Sequence, residues 1–532
     1  MEIEELIIRE LIKTGAKTQD DLALIKRRVA KKHDAFLPKN INLLKTYHRL
    51  IRNKSIKKSK TLETVLRVRP VRSLSGIVNV SVLTKPYPCP GKCIYCPSQE
   101  NVPKSYLNNE PAVMRAILNK YDPFQQVITR IKALDDNGHP TDKVELRIIG
   151  GTWSFYPRAY QTYFIKRCLD ACNNNNKKNK KRKAKGENLE QTQKRNEKAQ
   201  HRIVGLSVET RPDFITEKEV KRMRKLGITK VELGVQSTYD DVLKLNKRGH
   251  LIKSTIEATR LLKDAGLKIG YQMMLNLPGS NLKKDAEMFE ELFSNPDFQP
   301  DLLKIYPTAL LRETPLYKWW KADKYRPYSE KQLIDLVKAI KKKIPFYVRI
   351  ERIVRDIPSS SIVAGPAKLS NLRQVIAEHA KQEHWHCKCI RCREIREEYD
   401  PKEKLKLFRQ DYGASKGKEI FLSFEDEKRK RIHSLLRLRI PSQEYFIPTL
   451  NKAVIIREIH TYGQQLSLNQ EALSNKSAQH KGLGKKLMKE AEKIAKKEFG
   501  FKKIAVISAI GVRPYFRKLG YLFKETYLLK NL

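Results

Sequence analysis

Six of the 8 cysteines fall into two triplets, each with the spacing of a metal centre. Cys89, Cys93 and Cys96 form a C-x3-C-x2-C loop, CPGKCIYC. Three thiolates can carry a 4Fe–4S cluster and leave one iron without a protein ligand. The amino and carboxylate groups of S-adenosylmethionine suit that open iron. A zinc knuckle is the competing reading, but it needs a fourth ligand nearby. The next histidine downstream is His139. The second triplet, Cys387, Cys389 and Cys392, sits in HCKCIRC behind His384 and His386. Three sulfurs and one imidazole close a tetrahedral zinc site, and a closed site is structural. His386 is the nearest fourth ligand, with His384 and His379 also open, and a second iron–sulfur cluster is the alternative. Cys168 and Cys172 lie in the apolar stretch FIKRCLDAC and read as packing thiols.

Further candidates sit where strand-like runs end. Gly150, Gly151 and Thr152 close KVELRIIGGT, where bare glycine backbone lets carbonyls approach a cofactor ammonium. The next run ends in Glu209, Thr210 and Arg211, a carboxylate and a guanidinium suited to a ribose and a carboxylate. An ordinary salt bridge is the bland reading of that pair. Gln236 ends ELGVQ, while Met273 and Met274 read as core. Towards the C-terminus, Gln479, Gly482 and Gly484 form Q-x-x-G-x-G before a Lys-rich helix. Backbone N–H groups at such a helix start bind a pyrophosphate. A strand carrying Arg457, Glu458, Ile459 and His460 precedes this turn, and a segment from Tyr515 to Tyr521 follows it.

These groups need a scaffold. Over residues 76–360, seven short β runs alternate with amphipathic helices. That alternation predicts an α/β fold, an incomplete TIM-like barrel with its chemistry at the C-terminal strand ends. Residues 406–532 carry antiparallel-type strands, then the Gly-rich turn, a helix and another strand, the pattern of an α+β domain. Residues 361–405 read as a zinc-stapled linker, and 1–75 as a basic helical RNA-binding arm or a cap on the barrel. Residues 173–200, NNNNKKNKKRKAKGENLEQTQKRNEKAQ, lack an apolar stripe and predict a solvated loop or extended helix. The chain holds 108 Lys and Arg against 59 Asp and Glu, a net +49. That excludes an ordinary metabolic-enzyme surface and points to a polyanion, foremost nucleic acid. No apolar run reaches the ~20 residues of a membrane span. The N-terminus also lacks the pattern of a signal peptide. A cytoplasmic setting with reduced thiols is therefore expected.

The order of these motifs resembles the Elongator catalytic subunit family, the tRNA uridine(34) acetyltransferases. There a radical-SAM barrel and a GNAT acetyltransferase domain share one chain. The likeness rests on PYPCPGKCIYCP, KVELRIIGGTW, GLSVETRPD, CIRCRE, IREIHTYGQ, QHKGLG and GVRPYFRKLGY. It implies a stand-alone, archaeal-like enzyme with a 4Fe–4S cluster, S-adenosylmethionine, acetyl-CoA and a structural zinc, fed by an electron donor. Tyr95 would pack over the adenine. Pantetheine would run along the strand at Ile459 and His460, with pyrophosphate at the Gly-rich turn. The implied reaction takes hydrogen from the acetyl methyl, joins that carbon to C5 of the wobble uridine and hydrolyses the thioester, leaving 5-carboxymethyluridine. The tRNA anticodon stem-loop must offer its base splayed out. Glu209 and Tyr515 are the catalytic candidates. The sequence departs from the family at one point. The usual GNAT tyrosine, four residues before Gly520, is Phe516, so Tyr515 or water must serve instead. A protein lysine acetyltransferase with a vestigial barrel is the alternative, and an RNA-binding scaffold with structural metals a third reading. The oligomeric state stays open, a homodimer included.

Overall fold

The computed structural model describes residues 2–68, 73–174, 186–396, 399–442, 445–463, 465, 479 and 481–532. Its centre is a seven-stranded sheet: β1 (Val78–Leu83), β2 (Lys143–Ile149), β3 (Arg202–Thr210), β4 (Lys230–Gln236), β5 (Lys268–Leu275), β6 (Leu302–Pro307) and β7 (Arg349–Arg352). Every neighbouring pair is parallel and the order is sequential, so β1 and β7 are open edges. This is the expected half-barrel, built from the seven runs read in the sequence. Local signals set its helices. Glu217–Leu226, for example, starts where the Thr216 side chain accepts from the Glu219 N–H and stops at Gly227, with φ 89°.

Strand alternation splits each strand between two environments. In β2, Val144, Leu146 and Ile148 pack outward against the helices. Glu145 and Arg147 line the barrel interior. Closed TIM barrels fill that interior with branched apolar side chains. Here charged and polar groups occupy it.

The second seven-stranded sheet comprises β8 (Leu405–Ala414), β9 (Gly417–Asp426), β10 (Ile432–Ile440), β11 (Val454–Thr461), β12 (Lys503–Val506), β13 (Leu522–Lys524) and β14 (Tyr527–Asn531). The pair β11–β12 is parallel and the rest are antiparallel. Helix Leu483–Lys497 buries Leu487, Met488, Ala491 and Ile494 in one core with Leu436, Leu438 and Ile456. The strands β8, β13 and β14 were not read from the sequence. β8 and β13 are largely exposed edge segments with weak apolar alternation.

Four helices precede the barrel: Ile3–Lys13, Gln19–Lys32, Asn40–Arg52 and Lys60–Leu66. They enclose a core of their own, including Ile7, Leu11, Leu43, Leu44, Tyr47 and Leu66. Arg67 then ties them to the barrel, its Nε donating to the Gly138 carbonyl at 2.9 Å.

The polar stretch 173–200 departs from expectation. Residues 175–185 lie outside the described ones, but Leu189–Asn196 is a helix with buried Thr192, Gln193 and Asn196. Hydrogen bonds take the place of an apolar stripe. Asn196 donates to Asn173 at 2.8 Å and accepts from the Ile203 N–H at 2.9 Å. Glu197 is buried against Arg513 and Arg517, at 3.5 and 2.5 Å.

Buried charge joins the two sheets. Arg457 of β11 donates to Asp301 at 3.0 and 2.5 Å, to Glu419 of β9 at 2.9 Å and to the Leu267 carbonyl at 2.7 Å. Arg439 of β10 pairs with Asp264 at 2.6 Å and Glu419 at 3.1 Å. Such a network adds little net stability, yet it holds one geometry because stranding any member is expensive.

Candidate active site

The first cysteine loop follows β1 at the C-terminal end of the barrel. Gly91 sits between two of its thiols. Its N–H donates to Cys89 Sγ at 3.4 Å, and a Cβ there would lie 3.6 Å from both Cys89 and Cys93 Sγ and 2.5 Å from Arg211 Nη1. Only glycine fits. All three thiols line one cavity. Burial pushes the Cys96 thiol up to about 11. The guanidinium of Arg248 stands 3.5 Å from Cys93 Sγ. Three thiols lining one cavity beside a buried cation are a donor set that fits an anionic iron–sulfur cluster.

The strand ends behave unequally. Gly150 has φ 127°, and a Cβ would lie 2.1 Å from Thr84 Oγ1, so glycine is needed there for the approach of β2 to the end of β1. Gly151 and Thr152 line the cavity. Gln236 lines it too, held at φ 75°, a strained value for a non-glycine residue. Met273 is fully buried, as expected, but Met274 faces the cavity. Tyr95 packs beside Ile94, Leu310, Leu316 and Tyr325.

Glu209 is held by three donors from separate elements: Tyr106 Oη at 2.8 Å, Gln272 Nε2 at 3.1 Å and Lys304 Nζ at 3.0 Å. Arg211 makes a bidentate pair with Asp213, at 2.9 and 2.7 Å, while its Nη1 is buried without a partner among the described residues. Below Glu209 the charges interlock. Arg147 meets Glu232 at 2.9 Å, Lys230 meets Glu145 at 2.8 Å and Glu351 at 2.9 Å, and Lys304 meets Glu232. The neighbouring cations hold Glu145 down at about 2 despite its burial, with Lys230 foremost. Tyr106, Gln272, Lys304, Arg147 and Arg248 were all missed in the sequence. The available signal was a charged residue at alternate positions of strands that should be apolar on both faces, as in VELRI and LLKIY.

The second sheet meets the opposite end of the barrel. Lys268, the first residue of β5, pairs with Glu458 at 2.9 Å. His460 Nε2 donates to the Ser75 carbonyl at 2.8 Å, just before β1. Burial lowers its pKa, so the imidazole is neutral. Gln479 accepts from Lys143 Nζ at 3.0 Å and donates to the Thr461 carbonyl at 3.2 Å. It joins β11 to the barrel and lines the same cavity as the turn that follows. Gly482, at φ 79°, caps the helix that follows. A Cβ on Gly484 would lie 3.2 Å from the Tyr515 hydroxyl. Phe516 is buried in the core, so Tyr515 is the residue that brings a hydroxyl to the Gly-rich turn. Ile459, His460, Gly482, Gly484 and Tyr515 line the same cavity as the cysteines. Its volume is about 1240 Å³, and it runs through the barrel from one end to the other. At ~3.3 Å per residue, the seven residues of β2 put those ends about 20 Å apart.

Among the described residues, the sulfurs of Cys387, Cys389 and Cys392 lie within 4.8 Å of one another and could hold a metal ion. The expected imidazole does not join them. His386 and His384 are exposed, His379 is half-buried, and all three lie outside the group. The donors present fit three corners of a tetrahedral thiolate site. Cys168 and Cys172 are fully buried in the core, as expected. Among the described residues, no helix is long and apolar enough to cross a membrane.

Comparison with known proteins gives three family matches: the Radical SAM superfamily over residues 87–292, the Radical SAM C-terminal domain over 300–382, and the Acetyltransferase (GNAT) family over 473–521. The tRNA uridine(34) acetyltransferase of Methanocaldococcus infernus is 47% identical over 486 residues, covering 89% of each chain. Human Elongator complex protein 3 is 37% identical over 544 residues, covering 99% of this chain and 96% of its own. A solved structure of archaeal M. infernus Elp3 with an N-terminal deletion superposes with a TM-score of 0.74 at 44% identity, covering 86% of this chain and 100% of that one. Barrel, cysteine loop, acetyltransferase sheet and these likenesses agree: the chain belongs to the tRNA uridine(34) acetyltransferase family, the family of Elongator complex protein 3, enzymes that combine a radical-SAM barrel with a GNAT domain.

Proposed function

We propose that the chain modifies the wobble uridine of tRNA, turning the acetyl unit of acetyl-CoA into a carboxymethyl group at C5. The single observation that carries this is the continuous cavity, with the cysteine loop at one end and the Gly-rich turn at the other. Two independent activities would not need to share it. Cys89, Cys93 and Cys96 would hold the cluster, and with S-adenosylmethionine bound it supplies a carbon-radical oxidant when an electron donor reduces it. The rest of the site belongs to the chain. Backbone N–H groups after Gly482 and Gly484 receive the pyrophosphate of acetyl-CoA. An extended pantetheine arm is of the order of the cavity's length, so it brings the acetyl group towards Glu209. Tyr515 holds a proton beside the turn, and burial raises its pKa, so it is protonated at neutral pH.

The charge of the chain supports tRNA as partner. Helix Gln19–Lys32 carries Lys26, Arg27, Arg28, Lys31 and Lys32, and the loop after it presents Phe36, 98% exposed. Lysines and an exposed aromatic together suit a phosphate backbone and an unstacked base. At the C-terminal mouth of the barrel, Lys104, Arg115, Arg352 and Arg355 line the entrance a flipped uridine would use. A structural metal on Cys387, Cys389 and Cys392 and a cytoplasmic setting complete the reading. The test is mass spectrometry of tRNA nucleosides after anaerobic incubation with acetyl-CoA and S-adenosylmethionine. The reading expects 5-carboxymethyluridine only when both are present. Acetyl-lysine on protein, with unmodified tRNA, would favour a lysine acetyltransferase instead.

A further inference from the structure

We propose that Arg248 is the hydrogen-bond donor that sets the reduction potential of the cluster on the cysteine loop; this rests on the radical-SAM reading above. The backbone delivers the side chain there deliberately. Lys247 at φ 50° and Gly249 at φ 81° are both left-handed, so the chain turns sharply on either side of Arg248. Arg248 ends up 7% exposed. One nitrogen, Nη1, lies 3.5 Å from Cys93 Sγ, and Nη2 donates to the Gly234 carbonyl. Nε has no partner among the described residues.

Charge balance carries the argument further. Four cations nearest the centre of the barrel interior are matched: Arg147 and Lys304 by Glu232, Lys230 by Glu145, Arg211 by Asp213. Among the described residues, no carboxylate stands within ion-pair distance of Arg248. An unmatched buried cation is costly, so the site calls for an anion at Cys93. The field also acts locally, since burial and the Arg248 charge push His250 down to about 4. A cluster gains one negative charge on reduction. An N–H donor on a ligating sulfur favours that more negative state and raises the potential. Arg248 therefore makes the cluster easier to reduce.

The experiment compares wild type, Arg248→Gln and Arg248→Lys after anaerobic reconstitution. It reads iron content, midpoint potential by EPR-monitored titration, and S-adenosylmethionine affinity. Arg248→Gln should keep its iron and shift the one-electron equilibrium about tenfold towards the oxidised state, a fall of about 59 mV. Arg248→Lys keeps the charge and should fall less. An unchanged potential in iron-loaded Arg248→Gln overturns the proposal, and weakened S-adenosylmethionine binding alone would then give Arg248 to that ligand's carboxylate. If Arg248→Gln does not load iron, Arg248→Lys decides: a lowered potential supports the proposal and an unchanged one overturns it. Loss of iron from both variants also overturns it, in favour of a role in assembly. Iron content in wild type tests the radical-SAM reading separately.

Discussion

Replacing Arg457 by Met tests how the two halves are held together. Arg457 is fully buried and makes four hydrogen bonds, two to Asp301, one to Glu419 and one to the Leu267 carbonyl. Methionine fills much of the volume but strands two carboxylates. Removing one member of a buried ion pair typically costs about 3–5 kcal/mol. Nearby cations soften this: Arg437 lies 3.6 Å and Lys263 3.9 Å from Asp301. The expected loss is therefore near the lower figure, about 3 kcal/mol or roughly a hundredfold in equilibrium. It should fall on the docking of the second sheet against the barrel. Two probes can resolve that in a guanidinium titration. All 4 tryptophans (Trp153, Trp319, Trp320 and Trp385) precede the second sheet, so fluorescence reports the first part of the chain while far-UV circular dichroism reports both. In Arg457→Met the two transitions should separate. Adding Asp301→Asn removes one stranded charge, and the double variant should be more stable than Arg457→Met alone. A single variant within ~0.5 kcal/mol of wild type, or strictly additive losses, would refute the reasoning.

Other outcomes follow from the same geometry. Gly484→Glu puts a carboxylate at the turn proposed to take the pyrophosphate and bulk against Tyr515; acetyl-CoA binding should fall at least tenfold by calorimetry, with iron content unchanged. Removing residues 2–66 deletes a unit with its own core, so tRNA affinity should drop while acetyl-CoA affinity holds; unchanged tRNA binding would remove the arm from the interface. Lys263 is pushed down to about 8 by burial, below its ordinary 10.5. Between those values the unfolded chain keeps a proton the folded chain has lost, so stability rises with pH. Lys263→Met should show a flatter pH dependence across that window in denaturant titrations. Cys389→Ser should lower bound metal in the Cys387, Cys389 and Cys392 group, read by elemental analysis, and lower the melting temperature.

Local features were the legible ones. The cysteine loop, the strand ends and Q-x-x-G-x-G each sit within a few residues, so spacing alone reveals them. The seven barrel strands were equally plain, because each is a short β-forming run bounded by turn residues and alternating with amphipathic helices. What stayed hidden depends on residues far apart in the chain. Glu209 meets Tyr106, Gln272 and Lys304 only through the curvature of the sheet. Gln479 reads as part of the turn, and its bond to Lys143, 336 residues away, could not be read from spacing. The helix Leu189–Asn196 looked solvated because its buried face is polar, with hydrogen bonds where an apolar stripe was sought. His386 was chosen by proximity along the chain, which does not decide where an imidazole points.

The central claim, that acetyl group and radical meet in one cavity, is tested most directly with acetyl-CoA deuterated at the acetyl methyl. After anaerobic turnover with S-adenosylmethionine, an electron donor and tRNA, the 5′-deoxyadenosine formed is analysed by mass spectrometry. A shared cavity predicts deuterium in that product, and its loss in Gly484→Glu while iron content is unchanged. Modified tRNA accompanied by unlabelled 5′-deoxyadenosine would contradict the account.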